Sequence, residues 1–177
     1  SRPAARVSPR GGEIMIKGLH HNAYRCRDSE ETRGFYEDFL GLPLADAFEI
    51  TETKTGRESR VLHSFYRLGD GSFLAFFEVP GSPFEFKTQH DYDLHIALEV
   101  DAATLHDMFE TGKAAGVETR GVADHGFIRS IYFRDPNGYV IELTARTEIA
   151  EDYARNAERT AHDTLARWQR TKPAATG

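Results

Sequence analysis

A carboxylate inside an apolar strand is the first residue whose type and position suggest chemistry. Glu142 stands in the segment Tyr139-Val-Ile-Glu-Leu143, where a charge is costly unless it is paired or bound to a metal. His21 and His95 recur in a shared local context, each followed two residues later by an alanine. Two imidazoles with one carboxylate leave coordination positions open, which suits Fe(II) with oxygen chemistry or another divalent metal acting as a Lewis acid. We therefore predict that His21, His95 and Glu142 are metal ligands.

An internal repeat positions these three residues. Each half reads as a strand, a helix and three strands, with an Asp before the helix and a glycine after it. The first half predicts a helix over 30–40, a loop over 51–58 and strands over 15–27, 44–50, 60–68 and 72–79. The second half predicts a helix over 103–115 and strands over 95–100, 118–122, 129–134 and 139–144. The predicted fold class is α+β, with two βαβββ modules at about residues 15–80 and 93–146 and a C-terminal helix within 147–177.

Strand alternation decides which side chains share a face of each sheet. In the strand over 72–79, Leu74, Phe76 and Glu78 point the same way. If the helices cover one face, we expect Glu78 to line the other face together with the three predicted ligands. Glu78 is then a candidate fourth ligand or catalytic base.

Four segments carry a resemblance to a known superfamily. They are Leu19-His-His-Asn-Ala-Tyr24, Phe35-Tyr-Glu-Asp-Phe-Leu-Gly-Leu-Pro43, His95-Ile-Ala-Leu-Glu-Val100 and Asp135-Pro-Asn-Gly-Tyr-Val-Ile-Glu-Leu143. Together they resemble the vicinal oxygen chelate superfamily, which includes glyoxalase I, type I extradiol dioxygenases, methylmalonyl-CoA epimerase, and fosfomycin and bleomycin resistance proteins. The resemblance implies paired modules forming a half-open barrel around a metal held by His21, His95 and Glu142.

The stretch from His125 to Glu142 resembles the extradiol dioxygenase signature more closely. His125, Tyr132 and Glu142 fit its spacing, whereas Ala123 departs from the residues usual there. In that family the matching His and Tyr hydrogen-bond the catecholate and oxygen, so the resemblance implies that His125 and Tyr132 are catalytic. The expected function is a ring-cleaving dioxygenase of aromatic compound catabolism, acting on an aromatic diol with Fe(II) and O2. Mn, Ni, Zn or Co remain possible metals.

Two alternatives stay open. Extradiol enzymes usually carry a further His on the strand that ends the first module, and the strand over 72–79 has Glu78 but no His. Glyoxalase I has a Glu ligand at that place, which favours a lyase, isomerase or epimerase. The other alternative is a non-catalytic resistance or binding protein. Candidate substrate-contacting rings for any of these are Tyr24, Phe76, Phe84 and Phe86.

The composition of the chain limits which partners and which cellular compartment we expect for the protein. With a net charge of −6 and no basic block, nucleic acid is an unfavoured partner, and no apolar run approaches the roughly 20 residues that span a bilayer. The single Cys26 and the lack of a secretory signal predict a cytoplasmic protein, with a flexible tail at 1–14. The predicted helix over 148–171 has one apolar face, which we expect to pack on the domain or on a second subunit of a homodimer or higher oligomer. Its members are Ile149, Tyr153, Ala157, Ala161, Leu165 and Trp168.

Overall fold

The computed structural model describes residues 14–175, apart from the side chains of residues 53 and 54. Nearly all of the predicted tail at 1–14 therefore lies outside the described residues. The chain divides into two units, the first ending at Glu85 and the second beginning at Phe86. No helix among the described residues is both long and apolar enough to cross a membrane.

The first unit is a four-stranded sheet with one helical segment. Its elements are β1 (His21–Cys26), α1 (Ser29–Arg33) continuing as a π-helical turn (Gly34–Phe39), β2 (Leu44–Lys54), β3 (Arg57–Arg67) and β4 (Phe73–Glu78). The strand order is β1-β4-β3-β2, with β1 parallel to β4 and the other pairs antiparallel. Asp28 begins the helix as predicted, because its carboxylate accepts the backbone N–H of Glu31.

The second unit repeats this topology. Its elements are β5 (Ile96–Glu99), α2 (Ala102–Ala114), β6 (Thr119–Asp124), β7 (Ile128–Arg134), β8 (Val140–Arg146) and α3 (Ala150–Thr171). The strand order is β5-β8-β7-β6, again with one parallel pair, and Asp101 caps α2 by accepting the backbone N–H of Thr104. The predicted α+β fold of two βαβββ modules and a C-terminal helix is confirmed.

The predicted loop over 51–58 is wrong, because these residues belong to a long hairpin. β2 and β3 pair as far as Lys54 and Arg57, and only Thr55 and Gly56 connect them. Both connecting residues have positive φ, 52° and 74°, which is the conformation of a type I′ turn. The stretch looked like a loop because it is polar, but an exposed hairpin needs no apolar residues.

Each sheet packs its helix against one face. In the first unit, the ring of Tyr36 contacts Phe76 and Tyr66 at centroid distances of 4.7 and 5.6 Å, and all three residues are fully buried. In the second unit, Gly112 of α2 approaches Phe133 on the sheet. The opposite face of each sheet is therefore the one available for a site.

Helix α3 contacts its own unit through its first turn. The ring of Tyr153 stacks on Phe127 with a centroid distance of 3.9 Å. Beyond that contact the helix is largely exposed, including Leu165 and Trp168 on its apolar face, each 56% exposed. Among the described residues, the expected packing of this helix on the domain is therefore seen in its first turn, where Ala150 is buried and Tyr153 stacks on Phe127.

Candidate functional site

The second unit brings together His95 and Glu142. Nε2 of His95 lies 3.3 Å from Oε2 of Glu142, and the glutamate side chain is only 8% exposed. Glu142 is buried because β8 is the second strand of its sheet, paired with β5 on one side and β7 on the other. His95 immediately precedes β5, and the pairing of Ala97 with Glu142 brings the two side chains to the same face.

The other ring nitrogen of His95 is committed to the backbone. Nδ1 of His95 lies 2.9 Å from the carbonyl oxygen of Asp91, and a carbonyl can only accept, so this nitrogen carries the proton. Nε2 is thereby the nitrogen that faces Glu142, and it is the one that a metal between the two side chains would use. A histidine that donates one N–H to a carbonyl and presents the other nitrogen is the usual arrangement of a metal ligand.

The peptide segment that orients His95 is itself anchored to the sheet. The carboxylate of Asp91 accepts a hydrogen bond of 3.0 Å from Nη2 of Arg120 on β6. This contact holds the pKa of the Asp91 carboxyl below its usual value, so the pair is charged at neutral pH. Neither Arg120 nor Asp91 stands out in the sequence, because their pairing depends on a linker conformation with no sequence signature.

Tyr132 and His125 form a hydrogen-bonded pair beside Glu142. Tyr132 lies directly across from Glu142 in the β7–β8 ladder, and its hydroxyl is 3.2 Å from Nε2 of His125. Burial, and then the nearby charge of Glu142, raise the pKa of Tyr132 above its ordinary value. The guanidinium of Arg120 lies 5.5 Å from the centre of the Tyr132 ring. Tyr132 thus brings one hydroxyl next to the predicted carboxylate ligand, and an imidazole and a cation lie beside that tyrosine.

His21 lies in the first unit, on an aromatic surface. It is exposed at the start of β1, its Nδ1 is 2.8 Å from Nδ1 of His20, and its ring centroid is 5.4 Å from that of Phe65. Phe73 is its neighbour in the parallel β1–β4 register. A histidine in this position can present a ring nitrogen to a ligand.

The aromatic surface around His21 is a feature that sequence reasoning missed. The buried ring of His63 stacks on Phe77 with centroids 3.7 Å apart and lies 4.3 Å from Phe65. Phe48 also contacts both His63 and Phe65. The sequence shows that aromatic residues alternate in β3 and in β4. Only the register between the two strands shows that these residues share one face. We call His21, Phe48, His63, Phe65, Phe73 and Phe77 the aromatic face.

Glu78 does not share a face with His21, and that expectation is wrong. The register pairs His21 with Phe73 and Cys26 with Glu78, so Glu78 belongs to the face that the helix covers. Its carboxylate accepts hydrogen bonds from the hydroxyl and the backbone N–H of Ser29, at 2.5 and 3.2 Å. Its role as ligand or base stays a prediction, which this geometry does not favour.

The other predicted substrate contacts are not members of the aromatic face. Phe76 is fully buried against the helix, and Tyr24 lies beside it on the same face with ring centroids 6.3 Å apart. Phe86 packs against Tyr139 and the turn glycine Gly138. Phe84 is partly exposed in the irregular segment after β4. Phe76 and Phe86 are therefore packing residues in their own units.

Within residues 14–175, no three His, Cys, Asp or Glu side chains form a group ready to hold a metal. The structure brings together His95 and Glu142, with Tyr132 and His125 next to them, whereas His21 belongs to the first unit. The donor types fit a divalent cation, because a buried carboxylate and the oriented ring nitrogen of an imidazole face each other at 3.3 Å. The three-ligand set accordingly remains a prediction.

Comparison with known proteins bears on the family and the fold of the chain. The chain is similar to the metallothiol transferase FosB of Shouchella clausii, at 27% identity over 171 residues, which cover 85% of this chain and 94% of FosB. It resembles the crystal structure of the fosfomycin resistance protein FosX from Listeria monocytogenes, complexed with Mn(II) and sulfate. That match has 27% identity and a TM-score of 0.51, and it covers 77% of this chain and 98% of FosX.

A glyoxalase/dioxygenase from Nostoc punctiforme shares the fold, with 22% identity, a TM-score of 0.57 and coverage of 82% of this chain and 100% of that one. The family model described as Glyoxalase/Bleomycin resistance protein/Dioxygenase superfamily matches residues 18–143, which is most of the chain. The resemblance inferred from the four sequence segments is thereby confirmed. The protein belongs to the glyoxalase, bleomycin resistance and dioxygenase superfamily.

Proposed function

We propose that this protein is a metal-dependent enzyme of the extradiol dioxygenase type, which uses Fe(II) and O2 to cleave an aromatic diol. His21, His95 and Glu142 are its proposed metal ligands. The observation that carries the proposal is the hydrogen bond of 3.2 Å between Tyr132 and His125, directly beside the carboxylate of Glu142. A metal site that only bound its ligand would have no need of a paired hydroxyl and imidazole at that position.

The metal would supply Lewis acidity and, as Fe(II), a means of bringing O2 to the bound diol. The remaining roles fall to the side chains of the chain itself. Asp91 fixes the orientation of His95 through its carbonyl, and Glu142 contributes a charge that burial keeps from water. Tyr132 can donate its hydroxyl proton in a hydrogen bond to a substrate oxygen, and His125 can accept a proton that reaches it through Tyr132.

The aromatic face supports a planar, ring-containing substrate. The rings of Phe65, Phe73 and Phe77 are partly exposed on the strands that flank His21. Aromatic side chains bind flat rings by stacked or edge-on contacts that are worth about 0.5–1.5 kcal/mol each beyond simple burial. These residues replace Tyr24, Phe76 and Phe86 as the proposed contacts of the substrate ring, and Phe84 stays a prediction.

The glyoxalase-like alternative gains no support from the geometry. It needs the carboxylate of Glu78 at the metal, but Glu78 lies on the helix-covered face and accepts two hydrogen bonds from Ser29. A binding protein without turnover is likewise unsupported, since it has no use for the His95–Glu142 pair.

A second candidate function rests on the relatives. The similarity to FosB and to the Mn(II)-bound FosX, each at 27% identity, favours metal-dependent fosfomycin resistance. Such an activity would require the site to accommodate a small anionic substrate. Arg120 is a cation beside Tyr132 in the second unit, and its guanidinium is already engaged by Asp91.

The deciding experiment compares both reactions on one preparation. In the first assay, the protein is loaded anaerobically with Fe(II), and O2 uptake is followed with a panel of catechols. In the second assay, the Mn(II)-loaded protein is incubated with fosfomycin, with and without thiols, and the reaction is monitored by phosphorus NMR. We expect catechol-dependent O2 uptake that falls by about 10²-fold or more in Tyr132→Phe, given the usual size of proton-transfer contributions. Tyr92→Phe, at an exposed tyrosine, is the control and should retain full activity. Fosfomycin turnover without O2 uptake would reject the dioxygenase proposal.

A further inference from the structure

Beyond its first turn, helix α3 presents an apolar face that no described residue of its own unit covers. The side chains of Leu165 and Trp168, which lie beyond the Tyr153–Phe127 stack, are each 56% exposed. No strand or described helix of the second unit packs along the helix after the Tyr153–Phe127 stack. Most of the stability of a helix in a protein comes from packing of its apolar face, so a helix of 22 residues left uncovered implies a partner.

The apolar face has small residues at its centre and a large ring near its C-terminal end. With 3.6 residues per turn, the seam of the helix runs through Ala154, Ala157, Ala161, Thr164 and Trp168. Small side chains allow the backbones of two helices to approach closely. Ala161 lies midway between Ala154 and Trp168, seven residues from each. The seam is therefore complementary to the same seam of a second, antiparallel helix. In that arrangement Trp168 of each helix lies over Ala154 of the other.

We propose that the occupant of this face is α3 of a second copy of the chain, paired antiparallel about a twofold axis beside Ala161. In such an isologous contact the same surface is used twice, so Ala161 faces its counterpart and Ala157 faces Thr164 of the second copy. Ala154 lies under Trp168 of the second copy, and the reverse contact forms by symmetry.

The distribution of charge along α3 selects the antiparallel direction. Its N-terminal end carries three acidic residues, Glu148, Glu151 and Asp152, and one cation, Arg155, which pairs with the last two. That end keeps a net negative charge, whereas the C-terminal end carries Arg167, Arg170 and Lys172. Antiparallel pairing brings the acidic end of one helix against the basic end of the other, and it also opposes the two helix dipoles. Parallel pairing would place like charges together at both ends. Glu151 and Lys172, which flank the seam on the same side, then form two symmetric ion pairs across the interface.

Disulfide trapping tests this contact directly in the full-length chain. We substitute Ala161→Cys at the proposed axis and Ala166→Cys on the opposite side of the same helix as the matched control. The native Cys26 is 1% exposed and does not compete. A disulfide requires Cα atoms within about 7 Å of each other, so mild oxidation should give a reducible covalent dimer for Ala161→Cys and none for Ala166→Cys.

Charge exchange supplies a second test, measured as the dissociation constant by sedimentation equilibrium. Glu151→Lys alone replaces two attractive contacts by two repulsive ones and should weaken self-association by about tenfold. The double variant Glu151→Lys with Lys172→Glu restores opposite charges and should recover the wild-type constant. Ala161→Glu should abolish α3-mediated association, while Ala166→Glu should leave it unchanged.

Three results would overturn the proposal. Equal cross-linking in the Ala161→Cys and Ala166→Cys variants, or no cross-linking in either, would show that the α3 faces do not meet. A covalent dimer of the Ala161→Cys variant, together with self-association that is insensitive to Glu151→Lys, would reject the antiparallel register. A wild-type chain whose mass in solution is unchanged by Ala161→Glu would instead assign the apolar face to a different partner.

Discussion

Asp91 shows how a residue outside any motif positions a predicted ligand. Its carbonyl fixes the tautomer of His95, and its carboxylate is held by Arg120. The sequence was sufficient to place His95 and Glu142 on one face, because strand alternation is a local rule. It was not sufficient for Asp91, Arg120 or the aromatic face, because these depend on a linker conformation and on the register of β3 with β4.

Loss of the Arg120 anchor should weaken metal binding without removing a ligand. Arg120→Gln frees the Asp91 carboxylate and loosens the carbonyl that orients His95. We expect the dissociation constant for Mn(II) to rise by up to about tenfold. This is the low end of the effect usually seen when a hydrogen-bond partner of a metal ligand is lost. Isothermal titration calorimetry measures it, and Arg129→Gln on the neighbouring strand is the control. An unchanged constant in Arg120→Gln would show that the anchor has no influence on His95.

Tyr66 should make the stability of the protein depend on alkaline pH. Burial raises the pKa of Tyr66 to about 12, so its hydroxyl stays protonated in the folded state at pH values where it ionises in the unfolded chain. The stabilisation is fully present below pH 10 and is lost as the pH rises towards 12. This difference is worth about 2–3 kcal/mol for a shift of roughly two pKa units.

The matching measurement is urea denaturation at several values between pH 8 and pH 12. The wild type should lose unfolding free energy over this range relative to Tyr66→Phe, which has no proton to release. Tyr92→Phe, at an exposed tyrosine, should follow the wild type. Parallel curves for the wild type and Tyr66→Phe would contradict the raised pKa.

At the scale of elements, two glycines in helical conformation have opposite surroundings. A Cβ on Gly112 of α2 would lie 2.5 Å from Cε1 of Phe133 and 2.6 Å from Oγ1 of Thr119. The helix can therefore approach its sheet this closely only because Gly112 has no side chain. Gly34, at the start of the π-helical turn, has a helical φ of −56° and nothing within 4 Å of its Cβ position. The sequence shows both as glycines within helices and does not distinguish them.

The two alanine substitutions should therefore differ in sign. Gly112→Ala should destabilise the protein by about 1–3 kcal/mol, because the added methyl forces the ring of Phe133 or the helix to shift. Gly34→Ala should stabilise it by about 0.4–1 kcal/mol, since it restricts the unfolded chain without a clash. Chemical denaturation of both variants decides this, and a stabilised Gly112→Ala would refute the close approach of α2 to β7.

At the scale of the whole molecule, the repeat and the fold class could be predicted because each half carries its own caps, turns and alternation. Three features could not. Glu78 was assigned to the wrong face, since a parallel register cannot be deduced from one strand alone. The β2–β3 hairpin was taken for a loop because its exposed residues are polar. The apolar face of α3 was evident in the sequence, but amphipathicity identifies a face without identifying what covers it.

Equilibrium binding of Mn(II), followed by electron paramagnetic resonance, tests the proposed metal site most directly. The wild type should bind one ion per chain, and His21→Ala, His95→Ala and Glu142→Gln should each lose binding at concentrations that saturate the wild type. His162→Ala, at an exposed histidine of α3, should bind normally. Full occupancy in Glu142→Gln or His21→Ala would contradict the three-ligand site on which the proposed reaction depends.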